Sequence, residues 1–148
     1  MVILAVYYPE SLEIVRVLGE RLAGKVMVDI ANSLNETFNG LATAPGTSAK
    51  EVAESAPAGA KVVKAFNTTF SGKLVEGQVA GQTIDVFIAG DDDEAKETVS
   101  QLVRDGGLRA IDVGPLERAR QLEGLGFLGI ALQQPLGLIF HSAWKLIS

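Results

Sequence analysis

Five short apolar runs punctuate the chain, and the spacing between them limits the possible folds more than any other feature. They are Val2–Val6, Lys25–Ile30, Val62–Phe66, Ile84–Ala89 and Leu108–Val113. Each is rich in β-branched residues, and turn-forming or polar residues flank them, the pattern of a buried strand. The connections are too long for hairpins, and several carry apolar residues at helical spacing. Strand–helix–strand repetition of this kind predicts a parallel sheet with crossover helices. Strands that read apolar on both faces predict helices on both sides of that sheet. The expected class is α/β: a partial doubly wound parallel sheet of about five strands with a helical C-terminal part.

The connections support this reading. Pro9 suits the first position of a helix. Leu12, Val15, Leu18 and Leu22 then recur at helical spacing, with Gly24 as the expected stop. Ala31 to Gly46 reads as a long polar loop, after which Thr47 or Ser48 caps a short helix ending near Ala56. A loop or short helix follows the third run as far as Gly81. Asp91 and Glu94 form a D-x-x-E pair that resembles a capping box for a helix reaching about Asp105. The run Asp91–Glu94 reads as acidic residues favoured at a helix N-terminus rather than as a cation site. Leu116 to Ser148 reads as two helices separated near Pro135. The expected division is a sheet domain over 1–114 and a C-terminal helical segment over 115–148.

Length and composition remove several function classes. A chain of 148 residues is one domain by size, and 47% apolar residues suffice for a core. No apolar run approaches the ~18 residues of a membrane span, and no basic region precedes an apolar leader at the N-terminus. Without cysteine there is no thiol nucleophile, disulfide or thiolate metal site, a composition compatible with the cytoplasm. A net charge of −5 with no basic cluster argues against nucleic acid as a partner. His141 is the single histidine, which leaves no ligand set for a zinc or iron centre.

The third run ends in Asn67-Thr68-Thr69. In open α/β sheets ligands bind beyond the carboxyl ends of strands, and these side chains donate and accept hydrogen bonds without charge. They suit a polar, uncharged ring, although Asn67 and Thr68 can equally cap the loop through bonds to the backbone. A doubly wound sheet raises dinucleotide binding, whose fingerprint is a glycine-rich turn between a strand and a helix. The single G-x-G-x-x-G match, Gly124, Gly126 and Gly129, follows a helical pattern rather than a strand and has no acidic residue after it. These glycines read as close helix packing or a break.

The motifs in order resemble the NADPH-dependent coenzyme F420 (deazaflavin) reductase family, also called F420-dependent NADP oxidoreductases. The matching stretches are VILAVYYPES, AGKVMVDIANSL, AKVVKAFNTTFSGKL, DVFIAGDDDEAKETV, GLRAIDVGPLERARQLEGL and GLIFHSAWKL. The resemblance implies a Rossmann-like fold and hydride transfer between NADPH and a deazaflavin, with NADP(H) and coenzyme F420 as small-molecule partners, no metal, and no membrane partner. It also implies that residue 1 falls just before the strand that is normally fourth, so that the glycine-rich phosphate loop is not among these residues. Carried over by position, Ala5, Val6, Tyr7 and Tyr8 match the segment along the nicotinamide ribose, with Leu12 on the following helix. Asn32, Ser33 and Leu34 match a turn near the nicotinamide, and Asn67 and Thr68 the loop beside the reacting rings. Gly137 to Trp144 matches the segment near the deazaflavin. Tyr7 and Tyr8 are either a pocket wall or packing aromatics. An apolar edge strand at Val2–Val6 predicts self-association, most simply a homo-oligomer. The alternative function is a non-catalytic remnant or dimerisation module without nucleotide binding.

Overall fold

The computed structural model describes residues 1–147; Ser148, the last residue of the expected helical segment, lies outside the described residues. Five strands form one sheet in the order β1-β2-β3-β6-β7, namely β1 (Val2–Leu4), β2 (Val26–Asp29), β3 (Lys61–Lys64), β6 (Asp85–Gly90) and β7 (Arg109–Gly114). Crossover helices α1 (Tyr8–Leu18), α2 (Ser48–Ser55) and α4 (Asp93–Asp105) join β1 to β2, β2 to β3 and β6 to β7. A short helix α3 (Ser71–Glu76) and a small hairpin, β4 (Gln78–Val79) with β5 (Gln82–Thr83), lie between β3 and β6. Helices α5 (Ala119–Ala131) and α6 (Gln133–Leu136) follow the sheet.

The sheet divides the core into two layers. Leu4, Met27 and Val62 face α1 and α2, where they meet Val15 and Val52. Val28, Val63 and Ile88 face α4, where they meet Val99 and Val103. This is the two-sided covering expected from strands that read apolar throughout.

Five expectations need correction. The sheet is mostly, not wholly, parallel. β1, β2 and β3 run together, as do β6 and β7, but β3 and β6 pair antiparallel through Val63–Gly90 and Lys64–Ala89. The cause lies in the connection. α3 spans six residues, too few to carry the chain back across the sheet at 1.5 Å per residue, so the chain re-enters at the rim it left. The strands are also not apolar throughout: Asp29, Lys64 and Asp85 are buried charges within them.

The cap of α4 is Asp92, whose carboxylate accepts from Ala95 N–H. Asp91 accepts instead from Leu116 N–H at 2.8 Å. Asp92 also pairs with Lys61 and Asp93 with Lys96, so these carboxylates serve the helix start and its neighbours. Finally, the C-terminal part holds one long helix and one turn of a second. Gly137 ends α6 in a left-handed conformation, φ 63°, and residues 138–147 run without regular structure. The first helix likewise stops at Leu18 with Gly19, and a 3₁₀ turn over Gly19–Leu22 carries the chain toward Gly24.

Candidate functional site

The carboxyl ends of β1, β2 and β3 share one rim, and beneath it lies a fully buried charged network. Asp29 and Lys64 are register partners on adjacent strands. Their side chains point to the α2 side, and Lys64 Nζ donates to Asp29 Oδ2 at 2.8 Å. It also donates to Ser48 Oγ at 2.8 Å, to Glu123 Oε1 at 3.0 Å and to the carbonyl of Ala31. Glu123 comes from α5 and caps the first turn of α2, accepting from Ser48 N–H at 2.9 Å. A carboxylate at a helix N-terminus gains from the unsatisfied amides and the helix dipole. Its other oxygen accepts from Ser33 Oγ at 3.0 Å, and Ser33 stands 2.6 Å from Thr43 Oγ1. Asp29, Lys64 and Glu123 have no exposed surface. Charges are tolerated there only because each is paired and hydrogen-bonded.

Two asparagines sit above this network. Asn67 Nδ2 donates to Asn32 Oδ1 at 2.9 Å and to the carbonyl of Leu122 at 2.8 Å, while Asn32 Nδ2 donates to the carbonyl of Asn67 at 2.7 Å. The Leu122 carbonyl accepts only, which fixes the orientation of the Asn67 amide. Among the described residues, Asn67 Oδ1 is left buried without a partner. The turn that delivers Asn67 is sharp: Phe66 adopts φ 63°, a left-handed conformation unfavourable for a residue with a Cβ.

The remaining predicted residues divide into groups. Thr68 is buried and lines an apolar cavity of about 140 Å³ with Phe70, Gly129, Leu138 and Trp144. Phe70 meets Phe140 edge to face at 5.1 Å, and Trp144 Nε1 donates to the carbonyl of Leu125 at 3.1 Å. Ala5, Val6 and Tyr7 form an exposed ledge after β1, with Tyr7 81% exposed. Tyr8 turns inward and donates to Glu51 of α2. Burial, and then the Glu51 carboxylate, hold its phenol well above the usual range. Leu12 packs against the core beneath α1 rather than facing the rim. Ser33 belongs to the buried network. Leu34 makes an isolated bridge with Leu41 that closes the long loop.

The structure therefore joins Asn32 with Asn67, ties Ser33 to Glu123 and puts Thr68 in a cavity. It leaves Leu12 in the core. The sequence reading missed Lys64 and Glu123. A lysine inside an apolar strand and a glutamate within an apolar helix were the available signals, since each needs a buried partner.

No family model matches the chain. An F420-dependent NADP reductase of Methanocaldococcus jannaschii is 33% identical over 137 residues, which are 89% of this chain and 61% of that relative. The chain thus spans about three-fifths of that relative's length. A solved structure from Arthrobacter sp. FB24, provisionally assigned as an F420-dependent NADP reductase, matches all of this chain with a TM-score of 0.88 at 31% identity. The chain covers 69% of it. This chain belongs to the F420-dependent NADP reductase family.

The Rossmann-like α/β fold described above matches that solved structure over the whole chain. Two further likenesses are more partial. The rat metalloreductase STEAP3 is 37% identical over 108 residues, 73% of this chain but 21% of its own length. A hypothetical protein, SMa0349 of Sinorhizobium meliloti, matches 77% of this chain and 56% of its own, with a TM-score of 0.69 at 31% identity. Among the described residues no helix is long and apolar enough to cross a membrane, and no acidic or histidine group is arranged to hold a metal ion.

Proposed function

We propose that the rim above β1, β2 and β3 is the ring-binding part of a hydride-transfer site in an oxidoreductase that works between NADPH and the deazaflavin coenzyme F420. The observation that carries this is the pairing of two fixed, uncharged amides with an apolar cavity beside them. Asn32 and Asn67 hold each other and α5, while Thr68, Phe70 and Trp144 wall the cavity.

The residues fit flat, neutral rings. The buried Asn67 Oδ1 is an unused acceptor, the complement of a carboxamide or ring N–H. The exposed ledge at Ala5, Val6 and Tyr7 offers a surface for the ribose side of a nicotinamide. A cavity of about 140 Å³ is smaller than the ~300 Å³ or more of a typical ligand site, so it takes one edge of a ring while the remainder lies along the rim. The two coenzymes supply the hydride donor and acceptor. The chain's own residues orient the rings and keep water from between them, and fixed orientation is a large part of what such a reaction needs. Lys64, Asp29 and Glu123 stay clear of the rings and serve by holding Ala31–Leu34 in place. The reading extends to a cytoplasmic protein that works as a homo-oligomer.

The test is direct. NADPH is titrated into the purified chain while nicotinamide fluorescence is followed. Oxidised F420 is then added and loss of its visible absorbance recorded. Saturable micromolar binding with subsequent bleaching supports the assignment. Absence of any NADPH binding overturns it and favours a non-catalytic module.

A further inference from the structure

The glycines of α5 carry an inference that rests on the ring-binding reading above. Gly124, Gly126 and Gly129 lie inside a thirteen-residue helix. None of them adopts a positive φ, so the backbone makes no demand for glycine, and glycine is a poor residue for a helix interior. The surroundings differ sharply. A Cβ at Gly124 would meet nothing within 4 Å. A Cβ at Gly126 would overlap Asn32 Oδ1 and lie 2.9 Å from both Asn32 Nδ2 and the carbonyl of Asn67. Ordinary contact begins near 3.4 Å, and two of those three atoms belong to the amide that Asn67 grips.

The neighbours of Gly126 on the same helix face act on the same two loops. Leu122 accepts from Asn67 through its carbonyl, and Glu123 reaches Ser33 next to Asn32. Residues one turn apart share a face, so α5 presents a carbonyl, a carboxylate and a gap to the asparagine pair in succession. We propose that Gly126 is a positioning residue. The space left by its missing side chain is what allows Asn32 and Asn67 to close against each other at the ring site, and α5 thereby sets the spacing between the β2 and β3 loops. The residue touches no reacting atom and acts through the two amides.

A matched pair of substitutions on one helix tests this in the full chain. Gly124→Ala adds the same methyl and the same helix preference at a position where nothing is displaced. Its melting temperature is expected to rise, with the side-chain amide resonances of Asn32 and Asn67 and the affinity for NADPH unchanged. Gly126→Ala is expected to fold, to shift both pairs of amide resonances, and to slow hydride transfer to F420 by about a hundredfold, the scale of an ångström of misplacement. Amide resonances and turnover in Gly126→Ala that match those of Gly124→Ala overturn the proposal. Should Gly126→Ala fail to fold, the double variant with Asn32→Ala removes the two side-chain contacts, leaves only the Asn67 carbonyl to give by a few tenths of an ångström, and is expected to fold; its failure as well shows that the Asn32 amide is not what the missing side chain accommodates and also overturns the proposal. A wild-type chain that ignores NADPH sinks the ring-binding reading instead, and the amide spectra still decide whether Gly126 spaces the asparagines.

Discussion

Lys64 shows how much of this molecule turns on single side chains. Its ammonium is wholly buried between Asp29 and Glu123. In Lys64→Met two carboxylates would face each other without a counter-charge, and breaking a buried pair from one side costs about 3–5 kcal/mol. Urea denaturation is expected to show a loss of that size, with an unchanged slope if the variant still folds in two states. Asp85 provides a second, pH-dependent case. Burial alone would raise its pKa, but bonds from Arg109, Lys145 and Leu146 N–H outweigh that and hold it at about 2, against an ordinary 3.8. A depressed carboxyl stabilises fully above its unfolded value. That contribution, roughly 2 kcal/mol at about 1.4 kcal/mol per unit, is present above about pH 4 and disappears as pH falls through 2. Amide exchange at Leu146 is expected to accelerate across this window in the native chain and to be fast at all pH values in Asp85→Asn. Neither residue was legible as a linchpin in the sequence. Lys64 interrupts an apolar run without changing its strand character, and the partners of Asp85 lie 24, 60 and 61 positions away at Arg109, Lys145 and Leu146.

The elements themselves were easier to read, because period and caps are local properties. Thr47 or Ser48 was expected to open α2, and Thr47 is the one that does, accepting from Lys50 N–H at 3.0 Å. Thr47→Ala removes that acceptor and is expected to cost about 1 kcal/mol, seen as a lower melting temperature. Glu123, holding Ser48 from the far side, keeps the helix start in place. The reversed direction of β6 was not legible, since an apolar strand reads the same in either direction. Only the shortness of α3 decides it, and that follows from Gly77 adopting a left-handed turn at φ 72°. The tail after Gly137 misled for a related reason. Leu138, Ile139 and Phe140 look like a helix in composition, but Ile139 and Phe140 both take positive φ values. Gln133 fixes the bend by accepting from Phe140 N–H at 2.7 Å and donating to Ser142 at 3.0 Å. The site was half legible. Asn67 and Thr68 announce themselves at a strand end, whereas the helix that grips them lies more than fifty positions further on.

At the scale of the whole molecule, the sheet ends in β1 at one edge and β7 at the other, and among the described residues each pairs with one neighbour, β1 with β2 and β7 with β6. Leu4 is buried under α1, but Ile3 points to the opposite face and is 45% exposed, with Met1 also half exposed. An apolar strand with free backbone groups is a template for another strand. Light scattering after gel filtration is expected to give a mass above that of one 15.6 kDa chain, and Ile3→Lys, which charges the strand, is expected to shift it toward the monomer. A monomeric wild type would show that the edge is protected in another way. The reversal of β6 has its own reach. It stands the start of that strand, Asp85, at the same rim as the carboxyl ends of β1, β2 and β3. Through Lys145 and Leu146 the tail is drawn over that rim, with Trp144 seated against Gly129. Trp144 is the chain's single tryptophan. Indole emission from this protein therefore originates at one address, the cavity wall. A reduced nicotinamide arriving there would quench it by energy transfer, so the molecule carries a built-in optical gauge of occupancy that needs no label.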